Sequence, residues 1–327
     1  MTRTLQIAWD LAKAAVDRDR PLITHLIITR RCNLSCGYCF EYDKVSQPVP
    51  VATLRQRIDH LARLKSVFVT LTGGESLLHP QAAELVRYVR DRGMTPLLNT
   101  NGYLLTKRII DDLNAAGLYG MQLSIDNAKP NDISKKSLRP LLPKLRLLAR
   151  YAKFHVRINT VLGAGPPEEA LEVARTAVGF GLAANCSLVR HESGAMIDPD
   201  PRTRAVYDEI RTLGKRLPAL LDDDYTKTLL DRGTMDWKCR AGARTFLVDE
   251  HGNVHLCQPR VGSPGTPLAS YTVDDIRREF DAPKPCAPTC PIAYAHHASR
   301  LDEWRPQRGE PTVVRAGRRS PALAVVA

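Results

Sequence analysis

The sequence predicts an α/β fold built on a parallel sheet, and three observations predict it. Six short runs of strand character alternate with helical segments between residues 22 and 189. Strands that alternate with helices of about ten to fifteen residues make right-handed βαβ crossovers, so neighbouring strands run parallel. Glycines, cysteines and polar residues gather just after these runs, at the strand ends where α/β folds carry their chemistry. Periodicity alone does not separate a barrel from a doubly wound open sheet.

Leu5, Ala8, Trp9, Ala12, Ala15 and Val16 recur at three- and four-residue spacing, which predicts an amphipathic helix ended by Pro21. Asp10, Lys13, Asp17 and Asp19 interrupt the first twenty residues, so these form neither the apolar region of a signal peptide nor a membrane span. The helix, residues 1–21 with its flanks, is expected on the bottom of the domain. Peripheral membrane contact is the minority reading, because its polar face is not especially basic. Strands are predicted at 22–29, 67–71, 95–99, 121–125, 155–162 and 185–189, and helices between them at 53–64, 81–92, 107–116, 138–151 and 167–180. Residues 199–238 supply bridging helices, 245–248 and 253–256 read as a hairpin turning near Gly252, and 274–280 as a short helix. The end of the chain, 301–327, is rich in Arg, Pro and small residues and is expected to be a disordered tail.

A composition of 43% hydrophobic and 25% charged residues over 327 positions is that of a globular protein with room for one large domain and a small one. The formal net charge of +12 favours anionic partners but bears on association, not on fold. Residues 133–157 hold eight basic residues and no acidic one. They read as a solvated helix face, and no groove-reading motif accompanies them, so no nucleic acid is expected as a partner. Eight cysteines, in clusters and too sparse for a disulfide framework, follow the intracellular metal-binding pattern, and a cytoplasmic protein is expected.

The run Arg31-Cys32-Asn33-Leu34-Ser35-Cys36-Gly37-Tyr38-Cys39 follows the first strand. Its spacing lets one loop aim Cys32, Cys36 and Cys39 at a common point, and thiolates select zinc, copper(I) or iron-sulfur centres. Three thiolates on a four-iron cluster leave one iron open. A zinc knuckle or a disulfide pair is the alternative reading of the spacing alone. With Tyr38 just before the third cysteine, this C-x3-C-x2-C loop resembles the signature of the radical S-adenosylmethionine (radical SAM) enzymes. The resemblance implies a partial (β/α)6 barrel over residues 22–198 and a 4Fe-4S cluster on Cys32, Cys36 and Cys39. It also implies reductive cleavage of S-adenosylmethionine to a 5′-deoxyadenosyl radical, with a reductant such as flavodoxin or ferredoxin as partner.

Thr72-Gly73-Gly74-Glu75-Ser76 follows the second strand, where paired glycines permit close backbone approach. It resembles the family's GGE motif, which implies that Gly73, Gly74 and Glu75 hold the methionine amino group; a plain turn is the alternative. Asn99-Thr100-Asn101-Gly102 is read as a support for the barrel mouth. At the end of the fourth strand Ser124 and Asp126 share a face. They resemble the family's S-x-D arrangement, implying contacts to the ribose and methionine carboxylate, although Asp126 alone reads equally as a turn cap. Tyr38 is counted with them as facing the cofactor. Asn159, flanked on its face by Arg157 and Val161, is either a cofactor contact or a satisfied core amide. Cys186 reads as a small buried hydrophobe. After the sixth strand come Arg190, His191 and Glu192, with Arg190 expected as a substrate anchor and Glu192 as a proton acceptor, or else as solvated loop residues.

Cys239, Cys257, Cys286 and Cys290 form a second group within residues 239–300, with Gly252 between the first two. The pattern resembles the SPASM/twitch extension of radical SAM proteins, in the shorter twitch-like form because no cysteine follows Cys290. That implies an auxiliary 4Fe-4S cluster closed by four cysteines, which takes or relays an electron. The closing C-x3-C spacing departs from the pattern, His296 or His297 is a further candidate ligand, and a structural zinc is the alternative. The substrate is expected over the barrel mouth, between the Cys32 loop and the 239–290 extension. Fold does not identify it. With no separate peptide-binding domain before the barrel, a ribosomal peptide is disfavoured, while a similarity to radical SAM enzymes of hopanoid synthesis makes radical addition to an apolar lipid one alternative. A non-catalytic zinc or iron-sulfur protein is the other.

Overall fold

The computed structural model describes residues 3–39, 42–189, 199–213, 225–261, 263–303 and 305. In chain order the elements are α1 (Arg3–Val16), β1 (Ile23–Thr29), α2 (Val51–Arg63), β2 (Phe68–Gly73), α3 (Ala82–Asp91), β3 (Thr95–Thr100), α4 (Lys107–Ala116) and β4 (Gly120–Ser124). They continue with α5 (Leu138–Tyr151), β5 (His155–Leu162), α6 (Pro167–Gly179), β6 (Ala183–Leu188), α7 (Pro201–Leu213) and α8 (Tyr225–Arg232). The C-terminal part holds β7 (Thr245–Val248), β8 (Asn253–His255), β9 (Thr266–Pro267), α9 (Val273–Asp281) and α10 (Ala293–Arg300). The expected tail from residue 306 onward lies outside the described residues.

β1 to β6 pair in sequence order and all run parallel, giving the partial (β/α)6 barrel. Period-two alternation divides each strand between two environments. Leu26 and Ile28, Val69 and Leu71, Met121 and Leu123, and Val156 and Ile158 face the helices and join Leu54, Leu85 and Leu145 in one apolar core. The residues between them line the barrel interior. α5 runs through Pro143, which forgoes a backbone hydrogen bond; burial of Leu138, Leu141, Leu145 and Leu148 offsets a penalty of about 3 kcal/mol.

The sheet does not stop at β1. β7 pairs parallel with it, Ile23 opposite Thr245 and Leu26 opposite Val248, and β8 and β9 continue antiparallel. The C-terminal hairpin therefore extends the barrel's own sheet. α1 packs at the N-terminal ends of the strands, where Ala14, Leu22, Val67 and Ala298 form a small core. Arg244, fully buried, donates to the carbonyls of Ala14, Asp17 and Arg20 at 2.8, 2.9 and 2.8 Å and forms a two-pronged pair with Asp302. It thereby satisfies one open carbonyl of the last turn of α1, Ala14, and two of the loop that follows. The outer side of α1 exposes Leu5, Trp9 and Val16. Among the described residues no helix is long and apolar enough to cross a membrane.

Candidate active site

The cysteine loop sits on the end of β2. Gly73 has φ +132°, and a Cβ there would stand 2.0 Å from the Thr29 carbonyl oxygen; a Cβ on Gly74 would stand 2.3 Å from that of Arg30 and 2.5 Å from that of Arg31. Instead Gly74 N–H donates to Thr29 O and Glu75 N–H to Arg31 O, both at 2.9 Å. The two glycines let one backbone lie directly against the other, so the close approach they permit is to the stem of the cysteine loop. The loop closes on itself through Cys32 N–H to Asp43 O at 3.0 Å and Asp43 N–H to Arg30 O at 2.9 Å. Lys44 Nζ then caps the carbonyls of Cys32 and Leu34 at 2.9 and 2.7 Å.

Donors from two neighbouring strand ends reach the sulfurs. Cys32 Sγ accepts from Leu34 N–H at 3.4 Å and Asn101 Nδ2 at 3.7 Å, and Cys36 Sγ from Lys135 N–H at 3.3 Å. None of the eight cysteines is disulfide-bonded. Burial raises the Cys32 pKa, the Glu75 charge adds to the rise, and the Leu34 N–H, Lys44 and Lys136 oppose it. Sulfurs that accept N–H bonds and have cations nearby are suited to thiolate ligation, so this donor set fits an iron-sulfur cluster.

Glu75 is completely buried. Its Oε1 accepts from Leu77 N–H at 3.0 Å and Thr100 Oγ1 at 2.6 Å, its Oε2 from Asn101 N–H at 2.6 Å. Burial raises its pKa against these three hydrogen bonds and the Lys136 charge. The side chain thus ties β2 to the turn after β3, which carries the Asn101 amide to Cys32. Asp126, also fully buried, lies just past β4. Its Oδ2 accepts from Tyr38 Oη at 2.7 Å and Ser134 Oγ at 2.6 Å, while its Oδ1 is buried with no partner. Lys136 Nζ donates to Tyr38 Oη at 2.7 Å. Burial alone would lower the Lys136 pKa, but the Tyr38 oxygen and the Asp126 carboxylate beside it raise it. Burial likewise raises Tyr38, partly opposed by Lys136. Tyr38 therefore bridges the cysteine loop to the segment after β4. Lys136, part of a run read from sequence as a solvated face, turns inward.

On the interior wall Ser124 stands opposite Asn159, and Asn159 exchanges hydrogen bonds with Ser187 at 3.0 and 3.2 Å. Cys186 faces the other way, against the helices, and burial lifts its pKa to about 12. Arg190, His191 and Glu192 lie outside the described residues.

The second thiol group gathers at the other end of the sheet. Cys239 precedes β7, which runs parallel to β1, and Cys257 follows the antiparallel β8, so both lie at the N-terminal end of β1. Cys239, Cys257 and Cys290 share an apolar cluster with Tyr225 and Trp237. Burial, and then the neighbouring Cys290, Cys257 and Cys286, push the Cys239 thiol up to about 12. A buried thiol with three others beside it fits a shared cationic centre. His296 is stacked on Tyr225 at 3.9 Å and edge-on to Trp237. Among the described residues no three His, Cys, Asp or Glu side chains converge as a single ion would require, so the reading rests on the chemistry and mutual position of the thiols.

The fold and this site define a parallel-stranded partial barrel with a trithiol loop at its strand ends. Residues 26–187, just under half of the chain, match the Radical SAM superfamily. An AdoMet-dependent heme synthase of Methanosarcina barkeri is 31% identical over 191 residues, covering 56% of this chain and 54% of its own length. A PqqA peptide cyclase of Xanthomonas oryzae is 31% identical over 221 residues, covering 58% of each. The chain thus spans little more than half the length of these curated relatives. The crystal structure of Streptococcus suis SuiB superposes with a TM-score of 0.61 at 14% identity, over 84% of this chain and 70% of that one, a likeness of fold.

Proposed function

We propose that this protein is a radical SAM enzyme that cleaves S-adenosylmethionine reductively and uses the 5′-deoxyadenosyl radical to abstract hydrogen from a substrate. The observation that carries the reading is the seating of the Cys32-Cys36-Cys39 loop on Gly73-Gly74-Glu75 at parallel strand ends, inside the stretch that matches the superfamily. Cys32, Cys36 and Cys39 would hold a four-iron cluster, whose chemistry there would be one-electron reduction of the cofactor's sulfonium. The protein's own groups do the rest. Glu75 and Asp126 fix the loops on either side of the cysteines, and the unpartnered Asp126 Oδ1 is an acceptor available to a cofactor hydroxyl or ammonium. Ser124 and Asn159 line the wall below.

Cys239, Cys257, Cys286 and Cys290 would hold a second four-iron cluster, which would take or relay an electron; the nearness of the other three thiols to the buried Cys239 supports this. The relatives' names include a heme synthase and a peptide cyclase, so their substrates diverge too far to transfer here. Arg190 and Glu192 remain our candidates for substrate contact, a flavodoxin or ferredoxin for the reductant, and the cytoplasm for the compartment. The test is anaerobic incubation with S-adenosylmethionine and dithionite. The wild type is expected to form 5′-deoxyadenosine and the Cys32→Ala/Cys36→Ala/Cys39→Ala variant none; equal formation by both sinks the reading.

A further inference from the structure

Strand register places one charged side chain in the interior wall. Ile27 pairs with Thr72, Asn99 with Gln122, Gln122 with Arg157 and Arg157 with Ala183, while Asn99 Nδ2 donates to Thr72 Oγ1 at 3.4 Å. These residues form one row across the barrel. The next row toward the strand ends pairs Ser124 with Asn159 and Asn159 with Asn185. Val156 and Ile158 pack on the helices, so Arg157 between them projects into the interior. Its neighbours in both rows are amides, hydroxyls and aliphatic groups.

Among the described residues Arg157 has no hydrogen-bonding or ion-pair partner, whereas Glu75, Asp126 and Lys136 are each tied down. Its side chain is exposed to water through the open side of the barrel, and the surrounding wall still draws its pKa below the usual arginine value, with no carboxylate to offset the pull. Close by, Asn185 Oδ1 is buried without a donor. An unpaired guanidinium and an unpaired amide oxygen on adjacent strands present one strong cationic fork and one acceptor to the same space. The space itself lies between the two thiol groups. The Cys32 loop closes one end of β1 and the Cys239 group the other, and the seven residues of β1 span roughly 20 Å.

We propose that Arg157 anchors the substrate, holding a carboxylate or phosphate of it in the barrel interior between the two thiol groups, with Asn185 accepting from an adjacent hydroxyl or amide of the same molecule. A planar guanidinium binds either oxyanion through two parallel N–H bonds, and an anchor of that kind fixes orientation as well as position. Arg157 stands a row below Ser124 and Asn159, away from the strand ends where Glu75 and Asp126 gather, so the anion it holds belongs to the substrate and not to the cofactor's methionine. The substrate class is then an anionic molecule small or slender enough to enter the interior from its open side. This rests on reading the site as a radical SAM centre.

The test uses the full chain with its clusters reconstituted anaerobically, at low ionic strength. Equilibrium dialysis against labelled inorganic phosphate and labelled succinate reads the anion site, and calorimetry reads S-adenosylmethionine. Wild type is expected to bind one of the two anions saturably, the preferred one assigning phosphate or carboxylate. Arg157→Gln should weaken that binding by about tenfold or more, and Arg157→Lys by less. Circular dichroism confirms that each variant is folded. Equal anion binding by wild type and Arg157→Gln overturns the proposal, and so does a parallel loss of S-adenosylmethionine affinity, which would assign Arg157 to the cofactor. Anion binding that depends on Arg157 in a wild type that forms no 5′-deoxyadenosine would keep the anion site and sink the radical SAM reading instead.

Discussion

A single β-carbon at position 74 would meet the carbonyl oxygens of Arg30 and Arg31 at 2.3 and 2.5 Å, and both are backbone atoms that cannot swing aside. The sequence reading of the glycine pair was room for a ligand; the structure uses it first as room for the stem of the cysteine loop. Gly74→Ala is therefore expected to displace that stem, to destabilise the fold by about 1–3 kcal/mol, and to lose iron from the loop while the second group keeps its share. Denaturation and iron content measure both effects; a stable Gly74→Ala protein with full iron would refute the packing account. His25 makes a different prediction. Its ring lies 4.6 Å from that of Tyr294, and burial lowers its pKa to about 4. The unfolded chain binds a proton at about 6.5, so between those values the unfolded state holds more protons than the folded one. Stability present at neutral pH is lost as pH falls from about 6.5 toward about 4. The His25→Gln variant should lose less Tm than wild type between pH 7 and pH 5, and an identical loss in both would show that His25 does not contribute.

The cysteine loop depends on a segment distant in sequence, residues 126–137 after β4, through Tyr38 to Asp126, Lys136 to Tyr38, Lys135 N–H to Cys36 and Gly37 N–H to Ile133 O at 2.8 Å. Replacing Lys136 with Met leaves the Tyr38–Asp126 pair without its cation. Hydrogen exchange should then speed in residues 31–39 and remain as in wild type in α2; unchanged exchange in the loop would make Lys136 incidental. Much of the element layout was legible beforehand. The helices at 107–116 and 138–151, the strand at 155–162 and the strand at 245–248 have the bounds that the sequence pattern gives; the two helices each bury one regular face, and the last strand is a short run buried throughout. β6 spans Ala183–Leu188 instead of 185–189, a strand whose small residues, Ala183 and Ala184, carry little pattern. What periodicity does not encode is long-range partnership. The parallel pairing of β7 with β1, the reach of Glu75 to Thr100 and Asn101, and the inward turn of Lys136 depend on contacts between segments far apart in the chain. Arg157 was visible as a neighbour of Asn159 on one strand face, but only the register shows that no charge opposes it.

At the scale of the whole molecule the continuous sheet sets the function. β1 leads into the first thiol group and pairs with β7, which begins just after Cys239, so adjacent strands carry the two groups at opposite ends with the barrel interior between them. The substrate space expected from sequence lay over the barrel mouth; the unpaired Arg157 draws it down into the interior. The central claim is that the Cys32 loop holds a cluster with one iron open to the cofactor. Its most direct measurement is the electron paramagnetic resonance spectrum of a Cys239→Ala/Cys257→Ala/Cys286→Ala/Cys290→Ala variant, reduced anaerobically and recorded with and without S-adenosylmethionine. The account predicts about four irons per chain and a reduced-cluster signal that shifts when the cofactor is added. A four-iron signal that the cofactor leaves unchanged, or a loop that holds zinc and no iron, would contradict it.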